Sequence, residues 1–157
     1  MSAHRTAIAR KTVSMPMRRL FDAGVINGRA LDYGSGRGFD AQALCMESYD
    51  PHYSPLMPDG LFDTITCNYV LNVIESAEER LRVMRAIQNA LAPNGTAYIT
   101  VRTDKKALIG KTRIGTWQGL IVLDLPVVQR GSGYVTYRLT QFTRLDESVQ
   151  SSQTFAA

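Results

Sequence analysis

The pattern of apolar and polar residues predicts an amphipathic helix near the start of the chain. In SMPMRRLFDA, residues 14–23, Met17, Leu20 and Phe21 recur at helical spacing. Ser14 is placed to cap this helix, and the proline two residues later suits its first turn. We therefore expect Met17, Leu20 and Phe21 to form the apolar face of a short helix.

The pattern then alternates between strand and helix. Residues 29–33 are typical of a short buried strand, and residues 39–45, after a glycine-rich turn, favour a helix. Three prolines and a glycine forbid regular structure across residues 50–60. The following run, residues 61–71, is rich in residues favoured in strands.

The clearest helix is predicted over residues 76–91. Ser76 followed by Glu79 makes a capping box, and apolar residues recur at helical spacing as far as Leu91. A Pro-Asn-Gly turn then stops the helix, and residues 96–102 alternate like a strand. Strands alternating with helices predict an α/β fold with parallel strands.

Two further strands are predicted after Arg102. Residues 119–128 and 133–142 are apolar runs joined through Gly131-Ser132-Gly133, which favours an antiparallel hairpin at the C-terminal side of the sheet.

The length of 157 residues fits one domain, residues 1–157. We expect it to begin with a basic helical segment, residues 1–28, and to end in a flexible polar tail, residues 148–157.

Charge is unevenly distributed along the chain. Residues 1–30 carry a net +5 (six basic, one acidic), residues 31–101 a net −5 (four basic, nine acidic) and residues 102–157 a net +4 (eight basic, four acidic). Basic ends suit a polyanion such as nucleic acid, although solvated faces would carry the same charges. No apolar run approaches the roughly 20 residues that span a bilayer, and the N-terminus lacks a secretory h-region, so we expect a cytoplasmic protein without membrane insertion.

The residues that commonly bind metals are sparse. Cys45 and Cys67 fit neither a disulfide framework nor a metal pair, and we expect both to be buried free thiols. His4 and His52 lie too far apart to suggest a metal site, so we predict none.

The stretch LDYGSGRGFD, residues 31–40, carries the strongest signal. Gly34, Gly36 and Gly38 follow a predicted strand and lead into a predicted helix, so a ligand can approach the backbone and meet its N–H groups. A dinucleotide site has the wider spacing G-x-G-x-x-G.

The tighter glycine spacing, preceded by Leu31-Asp32, resembles motif I of the class I S-adenosylmethionine-dependent methyltransferases. Asp50 after the next strand, Phe62-Asp63 at the start of another, and a Pro-Asn-Gly turn before a strand resemble later elements of that family. The resemblance implies a minimal Rossmann-like sheet and S-adenosylmethionine as cofactor. It implies these cofactor-binding residues: Asp32, Gly34, Ser35, Gly36, Gly38 and Asp50.

Two of these acids have a second interpretation. Asp32 could instead orient the glycine loop, and Asp50 could instead begin a turn because it precedes a proline.

Asn68 and Tyr69 are the candidate catalytic residues, at the tip of the strand that carries the substrate side in the family. DNA amino-methyltransferases place a polar residue and a Pro-Pro-aromatic motif there, and this chain has Asn68-Tyr69-Val70. Cys67 lacks the Pro-Cys context of cytosine C5 enzymes, so we interpret it as core. Trp117 is either a base-stacking residue or a core anchor.

A narrower resemblance covers about residues 4–102. HRTAIARKTVSMPMR, DYGSGRGFD, DPHYSP and NYVLNVIESAEER are similar to the methyltransferases associated with DNA phosphorothioation. This resemblance implies a nucleic acid, DNA, as the partner. His4, Arg5 and Arg10 fall in its N-terminal run, where they would close over the cofactor or contact phosphate; the alternative is that they are solvated residues of a tail.

The chain is shorter than the family pattern in one region. Only 12 residues separate Gly38 from Asp50, which limits the intervening helix to about two turns, and the stretch up to Phe62 has no room for the strand-helix unit that usually contacts adenine. A second subunit would complete such a pocket, so a homo-oligomer is one expectation.

Two alternative functions fit the same features. The chain could bind or degrade S-adenosylmethionine without methyl transfer, or it could be a nucleic-acid-binding module on a Rossmann-like scaffold.

Overall fold

The computed structural model describes residues 3–104, 110–112 and 114–152. Its α-helices are α1 (Met15–Asp22), α2 (Phe39–Ala43) and α3 (Ala77–Asn89). Its strands are β1 (Ala30–Tyr33), β2 (Glu47–Tyr49), β3 (Phe62–Asn68), β4 (Leu91–Arg102), β5 (Gly110–Lys111), β6 (Trp117–Gln118), β7 (Ile121–Leu123), β8 (Val127–Gly131), β9 (Tyr134–Thr140) and β10 (Gln150–Ser152). Short 3-10 helices cover Ala3–Thr6, Leu71–Val73 and Glu147–Val149.

A six-stranded sheet with the order β2-β1-β3-β4-β9-β8 forms the centre of the fold. The first four strands of this order are parallel to one another, whereas β9 runs antiparallel to both β4 and β8. The predicted α/β class, with a mostly parallel sheet and a C-terminal antiparallel hairpin, is confirmed.

The C-terminal third differs from the prediction in two respects. Residues 119–128 do not form one strand, because β7 pairs with β10 in a separate two-stranded sheet and β8 alone joins the hairpin. Residues 148–152, which we expect from the sequence to be a flexible tail, instead belong to a 3-10 helix and to β10. The rest of that expected tail lies outside the described residues.

Helix α3 begins as predicted. The Ser76 hydroxyl accepts a hydrogen bond from the Glu79 N–H at 3.2 Å, and Leu81, Met84 and Ile87 are buried. In α1, however, the prediction for Phe21 is wrong: Met17 and Leu20 are buried but Phe21 is 52% exposed. Helix α2 spans five residues and is shorter than expected.

The sheet is covered on both faces. Leu31 belongs to the main apolar cluster with the buried side of α3, whereas its neighbour Ala30 packs against the cluster of Met17 from α1 and Ala41 from α2. Successive side chains of a strand point to opposite faces, so α3 lies on one side of the sheet and α1 and α2 on the other.

The two cysteines differ in environment. Cys67 is buried as expected, whereas Cys45 is exposed in a left-handed turn with φ of 55°, so the prediction for Cys45 is wrong. Across the described residues, no helix has the length and apolar character needed to cross a bilayer.

The fold points to one edge of the sheet as the place for a site. β1, β2 and β3 are parallel, so their carboxyl ends meet at one edge, and the glycine loop, Asp50 and Asn68 all lie there. Ligands of open α/β sheets bind beyond this edge.

Candidate functional site

The glycine loop, residues 34–38, connects β1 to α2 through three left-handed residues. Gly34, Gly36 and Gly38 have φ of 77°, 54° and 77°. A side chain is disfavoured at each of them for this reason. At Gly34 there is a second reason, because an added Cβ would stand 2.3 Å from Cγ2 of Val70.

Four of the five backbone N–H groups of the loop form hydrogen bonds within the protein. The N–H groups of Gly34 and Ser35 donate to the Tyr49 carbonyl at 2.7 and 3.0 Å, and that of Gly38 donates to the Ser35 carbonyl at 3.0 Å. The prediction that a ligand meets free N–H groups is therefore wrong for these residues and for Gly36, whose partner is Asp50. These four N–H groups of the loop are therefore already paired within the protein.

Asp50 follows β2 and joins the loop to the next turn. Its Oδ2 accepts from the Gly36 N–H at 2.9 Å, and its Oδ1 accepts from the N–H groups of His52 and Tyr53 at 2.9 and 3.0 Å. The backbone of Asp50 also exchanges two hydrogen bonds with Ser54. Asp50 thus begins a turn, as its second interpretation predicts, and also places its carboxylate against the glycine loop; its role in binding the cofactor stays a prediction.

Asp32 is buried beneath the same loop, at 4% exposure. The Thr66 hydroxyl donates to its Oδ1 at 2.8 Å. Burial raises the pKa of Asp32 to about 7, and the charges of Asp40 and Asp50 add to this rise, while Thr66 and Arg10 oppose it. A cation placed here by a ligand would favour the ionised carboxylate.

The segment before α1 approaches the loop from the other side. An added Cβ on Gly36 would contact the Cβ of Ala7 at 3.4 Å. Further along, the N–H and hydroxyl of Ser14 both donate to the carboxylate of Asp40 in α2, at 3.0 and 2.5 Å. The sequence pattern did not reveal this pair, because each residue also fits its local helix as a cap or a first-turn acid.

Asn68, at the tip of β3, has an unusual side chain. Its Oδ1 and Nδ2 are both buried, and neither has a hydrogen-bond partner in the described part of the chain. The Oγ of Ser35 in the glycine loop shares this property. Buried polar atoms without a partner are costly, and a ligand that formed hydrogen bonds with them would remove that cost.

Tyr69 follows Asn68 in a strained conformation. Its φ is 60°, a region that an aromatic residue rarely adopts, and its N–H donates to the Thr100 carbonyl at 2.9 Å. Burial raises the pKa of the Tyr69 hydroxyl, and the positive charges of Arg10 and Arg102 oppose the rise. The two predicted catalytic residues therefore lie together at the edge where the glycine loop and Asp50 lie.

Two basic residues that sequence reasoning did not assign lie near Tyr69 or its neighbour Tyr134: the charge of Arg102 acts on Tyr69, and Arg19 contacts Tyr134. Arg102 pairs with Asp104 at 2.7 Å, while Arg19 donates to the Tyr134 hydroxyl at 3.0 Å and to the Arg130 carbonyl at 2.6 Å. Among the described residues, neither Arg19 nor Arg130 belongs to an ion pair.

Asn72 connects the backbone at Arg102 to the backbone at Gly119. Its Nδ2 donates to the Gly119 carbonyl and its Oδ1 accepts from the Arg102 N–H, each at 2.8 Å.

Trp117 lies under the guanidinium of Arg80 at 5.8 Å and packs against the main core, which agrees with an anchoring role.

The environment of Cys67 does not favour a nucleophilic thiol. Cys67 is fully buried, and its burial raises the pKa of the thiol far above the ordinary range. Among the described residues, no three His, Cys, Asp or Glu side chains are grouped in a way that would hold a metal ion.

Comparisons with solved structures agree with this architecture. The chain is similar to DhpI in complex with SAH, at 14% identity over 78% of this chain and 81% of that one, with a TM-score of 0.54. It is also similar to a SAM-dependent methyltransferase from Bacteroides fragilis in complex with S-adenosyl-L-homocysteine, at 16% identity over 82% and 78% of the two chains, with a TM-score of 0.53. These likenesses show a common fold.

No curated protein matches the chain. A family model described as a methyltransferase domain matches residues 6–121, which include the glycine loop, Asp50 and the Asn68-Tyr69 tip. The predicted class of enzyme, an S-adenosylmethionine-dependent methyltransferase, is confirmed at the level of family and fold. The chain belongs to the methyltransferase domain family.

Proposed function

We propose that the chain transfers a methyl group from S-adenosylmethionine to an amino group of a nucleic-acid base, and that Asn68 holds this acceptor. The observation that carries the proposal is the buried, unpartnered amide of Asn68. It lies close to the glycine loop, because Val70, two residues further along, abuts Gly34.

The residues around the loop fit the cofactor. The Asp50 carboxylate suits ribose hydroxyls, the Ser35 hydroxyl suits a polar group of the methionine portion, and buried Asp32 suits its positive charge. When bound, S-adenosylmethionine supplies a methyl group made electrophilic by its sulfonium. The protein then needs only to place the acceptor in line with that methyl group and to exclude water.

The Asn68 amide offers a donor and an acceptor side by side. This pair matches the edge of adenine or cytosine, where an exocyclic amino group lies beside a ring nitrogen, so Oδ1 would accept from the amino group and Nδ2 would donate to the ring. Tyr69 adds a half-buried aromatic ring for a base taken out of its stack. Cys67 is a poor candidate for a nucleophile, because it is fully buried and its burial raises the pKa of the thiol.

The charges beside the site favour a nucleic acid. The positive charge of Arg102 acts on Tyr69, and the Arg19 guanidinium lies against the Tyr134 hydroxyl nearby; phosphates are common partners of such groups. The narrower resemblance to the methyltransferases associated with DNA phosphorothioation supports DNA as this nucleic acid.

The proposal is tested by incubating the protein with methyl-labelled S-adenosylmethionine and single- or double-stranded DNA, then digesting the DNA to nucleosides for mass spectrometry. We expect label on adenine or cytosine. Label that appears only in a small product of the cofactor would instead support degradation. DNA binding that falls steeply with salt and ignores the cofactor, without transfer, would support a binding module.

A further inference from the structure

We infer that Asp104 is a second contact for the acceptor, and that its Oδ1 accepts a hydrogen bond from an N–H group of the base that Asn68 holds. The inference deepens the proposed function and rests on it, because it needs an acceptor at Asn68. It makes Asp104 a residue that determines which acceptors the site accommodates.

Three residues hold the buried side-chain atoms that lack a hydrogen-bond partner in the described part of the chain. They are Ser35, Asn68 and Asp104. Ser35 lies two residues after β1, Asn68 ends β3 and Asp104 lies two residues after β4. Because β1, β3 and β4 are parallel neighbours in the sheet, the three groups follow one another along its carboxyl edge. Ligands that formed hydrogen bonds with them would remove the cost of burying them.

A ligand group that meets Asp104 lies on the acceptor side of the site. The glycine loop, to which Asp50 is bonded, follows β1, whereas Asp104 follows β4, on the other side of β3. The cofactor is expected at the glycine loop, so a group at Asp104 belongs to the acceptor. The charge of Asp104 also acts on the Tyr69 hydroxyl, so the carboxylate and the ring proposed to receive the base lie near each other.

The side chain of Arg102 positions the carboxylate of Asp104. Arg102 lies two residues beyond Thr100, the register partner of Asn68, so the Arg102 and Asn68 side chains point to the same face of the sheet. Nη2 of Arg102 donates to Oδ2 of Asp104 at 2.7 Å. Because Oδ2 is occupied by this ion pair, Oδ1 is left to accept from a ligand. Although Oδ1 is covered, the Asp104 side chain as a whole is 36% exposed, so the carboxylate is not sealed in the core.

The backbone around Asp104 is also held in place. The Thr103 N–H donates to the Gly133 carbonyl at 2.9 Å, and the Arg102 N–H donates to Oδ1 of Asn72 at 2.8 Å. An added Cβ on Gly133 would contact the Cβ of Asp104 at 3.4 Å. Since these contacts fix the carboxylate before any ligand binds, little ordering opposes a hydrogen bond to it.

The chemistry of a carboxylate restricts the group that it meets. An ionised carboxylate only accepts hydrogen bonds, so the group opposite Oδ1 must be a donor. The exocyclic amino group of adenine or cytosine carries two hydrogens, so one can be donated to Asn68 and the other to Asp104. A phosphate oxygen offers only acceptors, so Asp104 favours a base at this position.

The test compares methyl transfer to DNA by the wild type, Asp104→Ala and Asp104→Asn, with KM for DNA and kcat determined separately. Asp104→Ala removes a charge-assisted hydrogen bond, so we expect KM to rise about tenfold or more while kcat changes by less than about threefold. Asp104→Asn keeps an accepting oxygen, so KM should stay within about threefold of the wild type. Both variants leave the Arg102 charge unpaired, so the difference between them reports the accepting oxygen.

Calorimetric binding of S-adenosylhomocysteine separates this role from a structural one. Asp104→Ala should keep an affinity within about twofold of the wild type, because the cofactor contacts lie on the other side of β3. A loss of this affinity that matches the rise in KM would make Asp104 a structural residue and overturn the inference. Asp124→Ala, at an exposed carboxylate after β7, is the matched control and should change neither quantity.

The outcomes distinguish this inference from the function on which it rests. An unchanged KM for Asp104→Ala in an otherwise active protein would overturn the inference alone, as would equal rises in KM for Asp104→Ala and Asp104→Asn. If the wild type transfers no methyl group to DNA, the proposed function falls and the inference falls with it.

Discussion

The N–H of Gly36 donates to Oδ2 of Asp50 over 2.9 Å, joining the middle of the glycine loop to the end of the neighbouring strand. Through this contact, the carboxylate expected to hold the cofactor also sets the conformation of the loop expected to make room for it. Because this hydrogen bond joins the glycine loop to Asp50, a change in Asp50 should also disturb the loop.

Asp50→Asn is predicted to weaken binding of S-adenosylhomocysteine and to destabilise the fold. An amide has one accepting oxygen, so it cannot serve the N–H of Gly36 on one side and those of His52 and Tyr53 on the other. We expect a loss of about 1–3 kcal/mol in the free energy of unfolding, measured by chemical denaturation.

Asp63→Asn is the matched control for this change. Oδ2 of Asp63 accepts from the Arg29 N–H at 2.8 Å, at the opposite end of β3 from Asn68. Asp63→Asn should leave ligand affinity unchanged. Equal effects of Asp50→Asn and Asp63→Asn on affinity would contradict the role given to Asp50.

Gly34→Ala is predicted to abolish cofactor binding. The new Cβ would stand 2.3 Å from Cγ2 of Val70 in a backbone with φ of 77°, so the loop or the Val70 side chain must shift. Gly24→Ala isolates the backbone effect, because Gly24 has φ of 70° and no atom within 4 Å of an added Cβ. We expect Gly24→Ala to cost about 1–2 kcal/mol of stability, measured by thermal melting, and to bind S-adenosylhomocysteine normally. Normal binding by Gly34→Ala would remove the loop from the site.

Asp32 makes stability depend on pH. Its pKa is raised from 3.8 to about 7 by burial, so in this window the folded state binds more protons than the unfolded state. The contribution of Asp32 to the free energy of unfolding is fully present below about pH 4 and is lost as the pH rises through 7. The Asp32→Asn variant, which keeps an acceptor for Thr66, lacks this loss. Between pH 4 and pH 8, chemical denaturation should show the free energy of unfolding of the variant rising by on the order of 4 kcal/mol relative to that of the wild type. A constant difference across that range would contradict a buried, protonated Asp32.

Local patterns were sufficient for the elements that build the site. The glycine spacing, the Ser76 cap and the apolar runs act within a few residues, so the sequence predicts the loop, α3 and the parallel strands. Phe21 could not be placed in this way, because it lies at the margin of the apolar stripe and its exposure depends on what packs against α1.

Local sequence patterns do not predict the pairings between distant segments of the chain. The contact of Ser14 with Asp40 and the pairing of β7 with β10 join segments 26 or more residues apart, and nothing local distinguishes them. Asn68 could be singled out from its place at a strand tip, but the lack of a partner for its amide is a property of the packed structure.

The most direct test of the account is Asn68→Ala, measured for ligand binding and for methyl transfer side by side. Asn89→Ala, at an exposed asparagine at the end of α3, is the control. We predict that Asn68→Ala binds S-adenosylhomocysteine within about twofold of the wild type but transfers labelled methyl to DNA about 100-fold more slowly, because the acceptor is no longer positioned. Full transfer by Asn68→Ala, with binding intact, would show that the acceptor is held elsewhere and would contradict the account.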